Sequence, residues 1–281
     1  MRQKSYAQEE ESILYLIPTP IGNMEDITLR AVHLLERVDF ILCEDTRVTR
    51  ELLNHLQIKK KLVHCDDHNE EQVKQMVVEQ LKEKAVIGLV TDRGTPIISD
   101  PGYRVSRYVM DAGFPVVSLP GATAFVPALT MSGLSPAPFL FYGFLNSKKG
   151  KRDQELTSLK NYPYTMIFYE SPHRIEEALH SLLEVLGNRQ IALCREISKK
   201  YEEIIRGSIS EVLVVVSELK GEMVLVVDGN HEREDFSSLS IPEHVTLYVE
   251  DGLTEKEAIK KVALERDLPK SIVYREYHIH R

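Results

Sequence analysis

Along its first half the chain alternates short apolar runs with amphipathic stretches. Ile13–Ile17 is an unbroken apolar run of strand length, and Pro18-Thr19-Pro20 ends it, since proline offers no N–H to a ladder. Ile27, Ala31, Leu34, Leu35 and Val38 then recur with a helical period and predict one buried helix face. Asp39–Cys43 predicts a second strand, Val73, Met76, Val77 and Leu81 another helix, Ala85–Thr91 another strand, and Val116–Leu119 a short one. Strands that are apolar throughout, rather than at every second position, are buried on both faces, which is the property of a parallel sheet between two helical layers.

Gly121 and the Pro/Ser-rich stretch Ser132–Pro138 bracket a boundary, after which the alternation restarts. Phe139–Tyr142, Tyr164–Tyr169, Ile191–Cys194 and Met223–Val227 predict strands, and Ile175, Ala178, Leu179, Leu182 and Leu186 a helix face. Past Gly229 the polar run His231–Ser240 reads as a linker. Thr254 and Glu257 form a capping box that opens a helix with Ala258, Ile259, Val262 and Ala263 inside, and Pro269 suits the first position of a second helix. The predicted fold class is α/β: a polar extension over 1–12, α/β domains over 13–135 and 136–230, a linker over 231–252, and a helical hairpin tail over 253–281.

The 281 residues carry a formal charge of −8. A whole-surface grip on nucleic acid is therefore disfavoured, because non-specific binding rests on positive charge facing phosphate, and any such contact must be local. Three cysteines far apart suggest a reducing compartment and no disulfide framework. No apolar run approaches the ~18 residues of a membrane span, and the acidic start MRQKSYAQEEES resembles no targeting signal. The expectation is a cytoplasmic protein.

Three loops carry the candidate chemistry, each following a strand. Pro18–Asp26 stands where a dinucleotide fold would place G-x-G-x-x-G, yet holds one glycine, and no P-loop occurs anywhere. Thr91-Asp92-Arg93-Gly94-Thr95-Pro96-Ile97-Ile98-Ser99-Asp100-Pro101-Gly102 is a glycine- and proline-rich loop at a strand's carboxyl end, where open α/β sheets bind ligands. Pro120-Gly121-Ala122-Thr123-Ala124 opens a helix with small residues. No cluster with metal-ligand spacing is visible. In the loops after the second and third strands, Asp45 and Asn69 suit helix caps, and Ser171 with Pro172 suits a cap followed by a first helical residue.

The runs IPTPIGNMEDIT (Ile17–Thr28), CEDTRVTRELL (Cys43–Leu53), HNE (His68–Glu70), GTPIISDPG (Gly94–Gly102), PGATA (Pro120–Ala124), FYESPHRI (Phe168–Ile175) and GEMVLVV (Gly221–Val227) resemble, in this order, the ribosomal RNA small subunit methyltransferase I family, a branch of the tetrapyrrole methylases. The resemblance spans about Ile13 to Asp228. It implies two α/β domains flanking a cleft for S-adenosyl-L-methionine, methylation of the ribose 2′-oxygen of a cytidine in the decoding region of 16S rRNA, and a homodimer. The chain departs from the family at Arg93, where alanine is usual, and at Asn146, where proline is usual.

By resemblance, the cofactor lies against Pro20, Ile21 and Gly22, against Asp92, Gly94, Thr95, Pro96, Ile97 and Ile98, against Thr123 and Ala124, and against Phe168 and Tyr169. Candidates to orient or deprotonate the hydroxyl are Glu44, Asp45, His68 and His173. Candidates for RNA phosphate are Arg47, Arg174 and the basic run Lys148, Lys149, Lys151 and Arg152. Arg93 is expected to face solvent or the carboxylate of the bound methionine moiety. The alternatives are a small-molecule corrin or tetrapyrrole methylase of the same fold, and a non-catalytic RNA-binding assembly factor.

Overall fold

The computed structural model describes residues 11–231 and 239–279. The first part runs β1 (Ile13–Leu16), α1 (Leu29–Arg37), β2 (Phe40–Cys43), α2 (Thr46–His55), β3 (Lys61–His64), α3 (Glu70–Lys82), β4 (Val86–Leu89), α4 (Tyr103–Asp111) and β5 (Val116–Ser118). The strands form one parallel sheet in the order β3-β2-β4-β1-β5. The unbroken apolar runs have the predicted cause. Ile13, Tyr15 and Ile17 pack with Ala31, Leu34 and Leu35 of α1 on one face, while Leu14 and Leu16 pack with Val77, Leu81, Val105 and Val109 of α3 and α4 on the other.

The chain then passes through α5 (Phe125–Ser132) into β6 (Phe139–Phe144), α6 (Lys149–Ser158), β7 (Thr165–Glu170), α7 (Ile175–Leu186), β8 (Gln190–Arg195), β9 (Glu203–Ser208), α8 (Ile209–Val215) and β10 (Met223–Val227). Their sheet has the order β6-β7-β10-β8-β9, with β6 and β7 parallel and the other pairs antiparallel. One face takes Met166, Phe168, Leu193 and Leu225 into a core with Leu156, Leu179, Leu182 and Val212 of α6, α7 and α8. The other takes Ile167, Ala192, Val224 and Val226 against Ala128 and Leu129 of α5. The crossing between sheets thus comes earlier than the Pro/Ser-rich stretch implied, because α5 already packs on the second sheet. Both sheets belong to one compact unit that ends at Asn230.

Two local readings need correction. Glu203–Ser208 forms a sheet-edge strand that its mixed E-I-I-R-G-S pattern did not suggest. Helix α7 starts at Ile175 with Arg174 as its cap residue, so Ser171 and Pro172 lie in a turn before it, where the Ser171 carbonyl accepts from the N–H groups of Arg174 and Ile175.

The second unit also differs from the predicted linker and hairpin. Among the described residues it holds three helices, α9 (Ile241–Glu250), α10 (Glu255–Glu265) and α11 (Lys270–Ile279). Ser240 and Glu243 form the capping box of α9, so helix occupies much of the span assigned to a linker; residues 232–238 of that span lie outside the described residues. The three helices share a core of Val245, Tyr248, Ile259, Val262, Val273 and Tyr277, around which His244 is buried between Glu265 and the Arg266 guanidinium, whose Nε donates to His244 Nδ1 at 3.1 Å.

Two glycine substitutions test this packing. A Cβ on Gly121 would come within 2.4 Å of the Pro18 ring, which the backbone fixes. Gly121→Ala should cost about 1–3 kcal/mol, as overpacking does. Gly150, inside α6, has nothing within 4 Å of an added Cβ, and Gly150→Ala should be neutral or gain up to ~1 kcal/mol. Side-by-side thermal unfolding should show the first melting lower than the parent and the second no lower.

Candidate active site

The three loops flagged in the sequence follow β1, β4 and β5, which are neighbours in the first sheet. Their backbones are tied together. Thr19 and Gly94 exchange two backbone hydrogen bonds of 2.9 and 3.0 Å, Thr95 Oγ1 donates to the Ala122 carbonyl at 3.0 Å, and Thr19 Oγ1 donates to that of Thr91 at 3.1 Å. Gly94 sits at φ +88°, a conformation that favours glycine, and a Cβ there would meet Ile21 and the Ala122 carbonyl. The result is a rigid, backbone-rich floor.

Above it stands the second sheet. Between them opens a cavity of about 280 Å³ lined by Ile21, Gly94, Thr95, Ile98, Thr123 and Ala124 from the loops, and by Tyr169, Met223 and Val224 from the strands. Walls of this kind, mostly apolar with a few hydroxyls and exposed backbone, suit a nucleoside-sized ligand. A long guest with an aromatic ring and a polar tail would find apolar sides at Ile21, Ile98 and Val224 and hydroxyls at Thr95, Thr123 and Tyr169. Burial pushes the Tyr169 phenol above its usual range, so it remains a neutral donor.

Seven of the thirteen residues expected at a cofactor line this cavity: Ile21, Gly94, Thr95, Ile98, Thr123, Ala124 and Tyr169. The other six do not. Phe168 points to the opposite face of β7, into the core with α7, because successive strand residues alternate. Ile97 turns inward to the core of the first sheet. Gly22 lies against Lys199 and the Ile197 carbonyl, and Pro20 and Pro96 are buried outside the lining. Asp92 faces a different space.

That space is an acidic basin of about 500 Å³, lined by Glu44, Asp45, Arg47, His64, Asp66, Asp67, His68 and Asp92 at the carboxyl ends of β2, β3 and β4. Among the described residues no group of three or more His, Cys, Asp or Glu side chains is arranged to hold a metal. The basin gathers Glu44, Asp45 and His68, but Asp45 is engaged. It caps α2 by accepting the Arg47 N–H at 2.8 Å, and it pairs with the Arg47 guanidinium at 2.6 Å, which holds its carboxyl down to about 2. Glu44 moves the other way, raised chiefly by burial and then by Asp92 and Asp100. His173 is exposed and lines neither space.

The basic candidates divide sharply. Arg152 is 2% exposed; its Nε donates to Ser181 Oγ at 2.9 Å, and it sits 3.6 Å from Glu177. It is a packing residue of α6, not a phosphate ligand. Arg174 donates to the Leu145 carbonyl at 2.7 Å and pairs with buried Glu170 at 3.3 Å, tying β6 to β7. Lys149 is shared by Asp153 and Glu184. Lys148 and Lys151 are exposed.

Several cleft residues were not singled out from sequence. Ser99, Asp100, Ser171, Pro172, Glu222, Met223 and Val224 lie inside the quoted motifs, so position within those runs was the available signal; Phe144 and Ile197 carried none. Arg93 lines the cleft and faces a carboxylate of the protein itself, with its Nη1 2.5 Å from Glu222 Oε1, while Lys199 takes the other oxygen of Glu222 at 2.9 Å.

Comparison with known proteins places this architecture. Residues 13–213 match the model of the tetrapyrrole (corrin/porphyrin) methylases. Ribosomal RNA small subunit methyltransferase I of Bacillus subtilis is 48% identical over 99% of this chain and 98% of its own length. The protein of that name from Halalkalibacterium halodurans is 44% identical over 98% of each chain, and that from Escherichia coli O157:H7 is 40% identical over 95% of this chain and 99% of its own. Among solved structures, the uroporphyrin-III C-methyltransferase of Thermus thermophilus complexed with S-adenyl homocysteine superposes with a TM-score of 0.57 at 20% identity, covering 76% of this chain and 96% of that one. Cobalt precorrin-4 methyltransferase gives 0.58 at 16% identity, over 77% and 95%. At such identity these two share the fold, whereas the near-full-length relatives fix the branch: the chain belongs to the ribosomal RNA small subunit methyltransferase I family of the tetrapyrrole methylases.

Proposed function

We propose that this protein methylates small-subunit ribosomal RNA with S-adenosyl-L-methionine, at the ribose 2′-oxygen of a cytidine in the decoding region. The observation that carries the reading is the cleft itself, a rigid three-loop floor facing an apolar strand wall, in a chain of this family along nearly its whole length. When bound, S-adenosyl-L-methionine supplies an electrophilic methyl group on sulfonium sulfur. The chain's part is to place and dry the site. Gly94 presents backbone to the ligand, Thr95, Thr123 and Tyr169 fix its polar groups, and Ile21, Ile98 and Val224 exclude water. Holding a hydroxyl oxygen ~3–3.5 Å from the reacting carbon, in line with the breaking bond, lowers the barrier of such a transfer substantially.

The acidic basin beside the cleft is the proposed seat of the nucleotide. There Glu44 and His68 orient the acceptor, while Asp45 serves α2 and Arg47. Lys148 and Lys151 at the start of α6 are the proposed phosphate contacts. A homodimer and a cytoplasmic location complete the reading. The homodimer rests on the family resemblance and the cytoplasmic location on three widely spaced cysteines; among the described residues no helix is long and apolar enough to cross a membrane.

Three outcomes are expected. Incubated with methyl-labelled S-adenosyl-L-methionine, the protein should label 30S subunits or 16S rRNA and not a corrin precursor, with the label mapping to a cytidine 2′-oxygen by mass spectrometry of nuclease fragments. Labelling of the corrin alone would reverse the assignment. Replacing Lys148 and Lys151 with alanine should lower the slope of log affinity against log salt by about 1.4–1.8, while Arg152→Ala should instead reduce the melting temperature. Light scattering should give twice the chain mass of 32.2 kDa at micromolar concentration, and the monomer mass would remove the dimer.

A further inference from the structure

Three carboxylates line the cleft, and two are engaged. Glu170 is almost wholly buried, accepts the Ser171 N–H at 2.8 Å and faces Arg174. Glu222 pairs with Arg93 and Lys199. The third, Asp100, is half-buried, faces the Thr91 hydroxyl and has no cation against it among the described residues. The titratable groups around it are the acids Asp92, Asp67 and Glu44 and the Tyr169 phenol, while Arg93, which lines the same cavity, is bound to Glu222.

The position of Asp100 is as distinctive as its partners. Asp100 lines the cleft and the next residue, Pro101, lines the acidic basin, so this side chain stands at the wall the two spaces share. Its loop is held hard. Ile97 and Ser99 adopt left-handed φ of 77° and 66°, and Gly102, at φ 116°, donates its N–H at 2.6 Å to Glu70, which is 2% exposed. Left-handed φ at a branched residue such as Ile97 is costly and persists only where surrounding structure enforces it. The fold therefore fixes a carboxylate where a methyl donor in the cleft would meet an acceptor in the basin.

Resting on the reading above, we propose that Asp100 is the general base of the transfer and takes the proton of the acceptor's ribose hydroxyl. The oxygen–carbon bond forms as the carbon–sulfur bond breaks, the bonding pair stays on sulfur as a neutral thioether, and the hydroxyl proton ends on Asp100 Oδ. Charge balances, since a sulfonium cation and a carboxylate anion give a neutral thioether and a neutral acid. Burial, opposed by the Thr91 hydroxyl and reinforced by the repulsion of Asp92 and Asp67, pushes the Asp100 carboxyl up to about 6. It is then ionised near neutral pH, yet basic enough to assist. The carboxylate is the active form, so activity is full above that value and lost as pH falls through it.

The test compares the parent protein with Asp100→Asn, using S-adenosyl-L-methionine and 30S subunits. The parent's kcat/KM should fall tenfold per pH unit on an acid limb bending near 6, and the limb should vanish in the residual activity of the variant. Asp100→Asn should lower kcat by about 100-fold or more, while calorimetry should show the thioether product S-adenosylhomocysteine bound within about threefold of the parent. Independently of turnover, 13C-carboxyl NMR of the aspartate-labelled parent should show a resonance titrating near pH 6. A variant kcat within about threefold of the parent, or a parent profile flat between about pH 5 and 8, overturns the assignment. Should Asp100→Asn fail to fold, Asp100→Ser and the parent's own profile and titration decide. A parent that binds cofactor but methylates no ribosomal RNA removes the functional reading, and the base with it.

Discussion

The pair of backbone hydrogen bonds between Thr19 and Gly94 is the constraint on which the site depends. Two loops leaving adjacent parallel strands would otherwise splay, since parallel strands share no turn and each loop leads to its own helix. Joined at Thr19 and Gly94, and extended to the third loop by Thr95 and the packing of Gly121 on Pro18, they form one surface. Each of these contacts has main chain on at least one side. That accounts for the residue types present, because glycine and small side chains let backbones approach and proline removes alternative loop shapes.

Helix α5 turns this floor into a cleft. Thr123 and Ala124, at its entrance, belong to the floor, while Ala128 and Leu129 in its body are buried against the second sheet. One short helix thus sets the spacing of the two walls, and Phe125 stacked on Phe141 at 4.6 Å fixes its approach. A change in α5 packing would alter the cleft without touching any ligand contact. The alternation of β7 completes the division, with Phe168 filling the core and Tyr169 presented to the cleft.

Much of this was legible in the residues, and the exceptions share a cause. Apolar runs located eight of the ten strands among the described residues, since burial on both faces writes a continuous signal, and the helical periods of α1, α3, α7 and α10 were equally plain. The edge strand Glu203–Ser208 was not, because one polar face and a Gly-Ser end leave little period. Helix α9 went unread although Ser240 and Glu243 spell the same capping box as Thr254 and Glu257, since its polar lead-in looked like linker. Site residues were legible as motifs but not as individuals. Phe168 and Tyr169 are neighbours in sequence and opposites in space, and Arg152, one of four cations in a run, is the one that helix period turns inward. Facing depends on register and packing, which a motif does not encode.

Arg93 shows how the fold absorbs a cation at the mouth of the cleft. A guanidinium at the mouth of a cleft meant for a sulfonium would repel it, and in a low-dielectric site that repulsion would be severe. The structure instead gives the cation a carboxylate partner of its own. Glu222 immediately precedes β10 in the opposite wall and holds Arg93 and Lys199 on separate oxygens, and Lys199 also reaches Glu196. Two cations and two carboxylates leave no net charge at the rim. Arg93 and Glu222 are both at least half exposed, so their pairing contributes little to stability. Its consequence is electrostatic: with the rim neutral, Asp100 is the acid of the cleft lining that has no cation against it among the described residues.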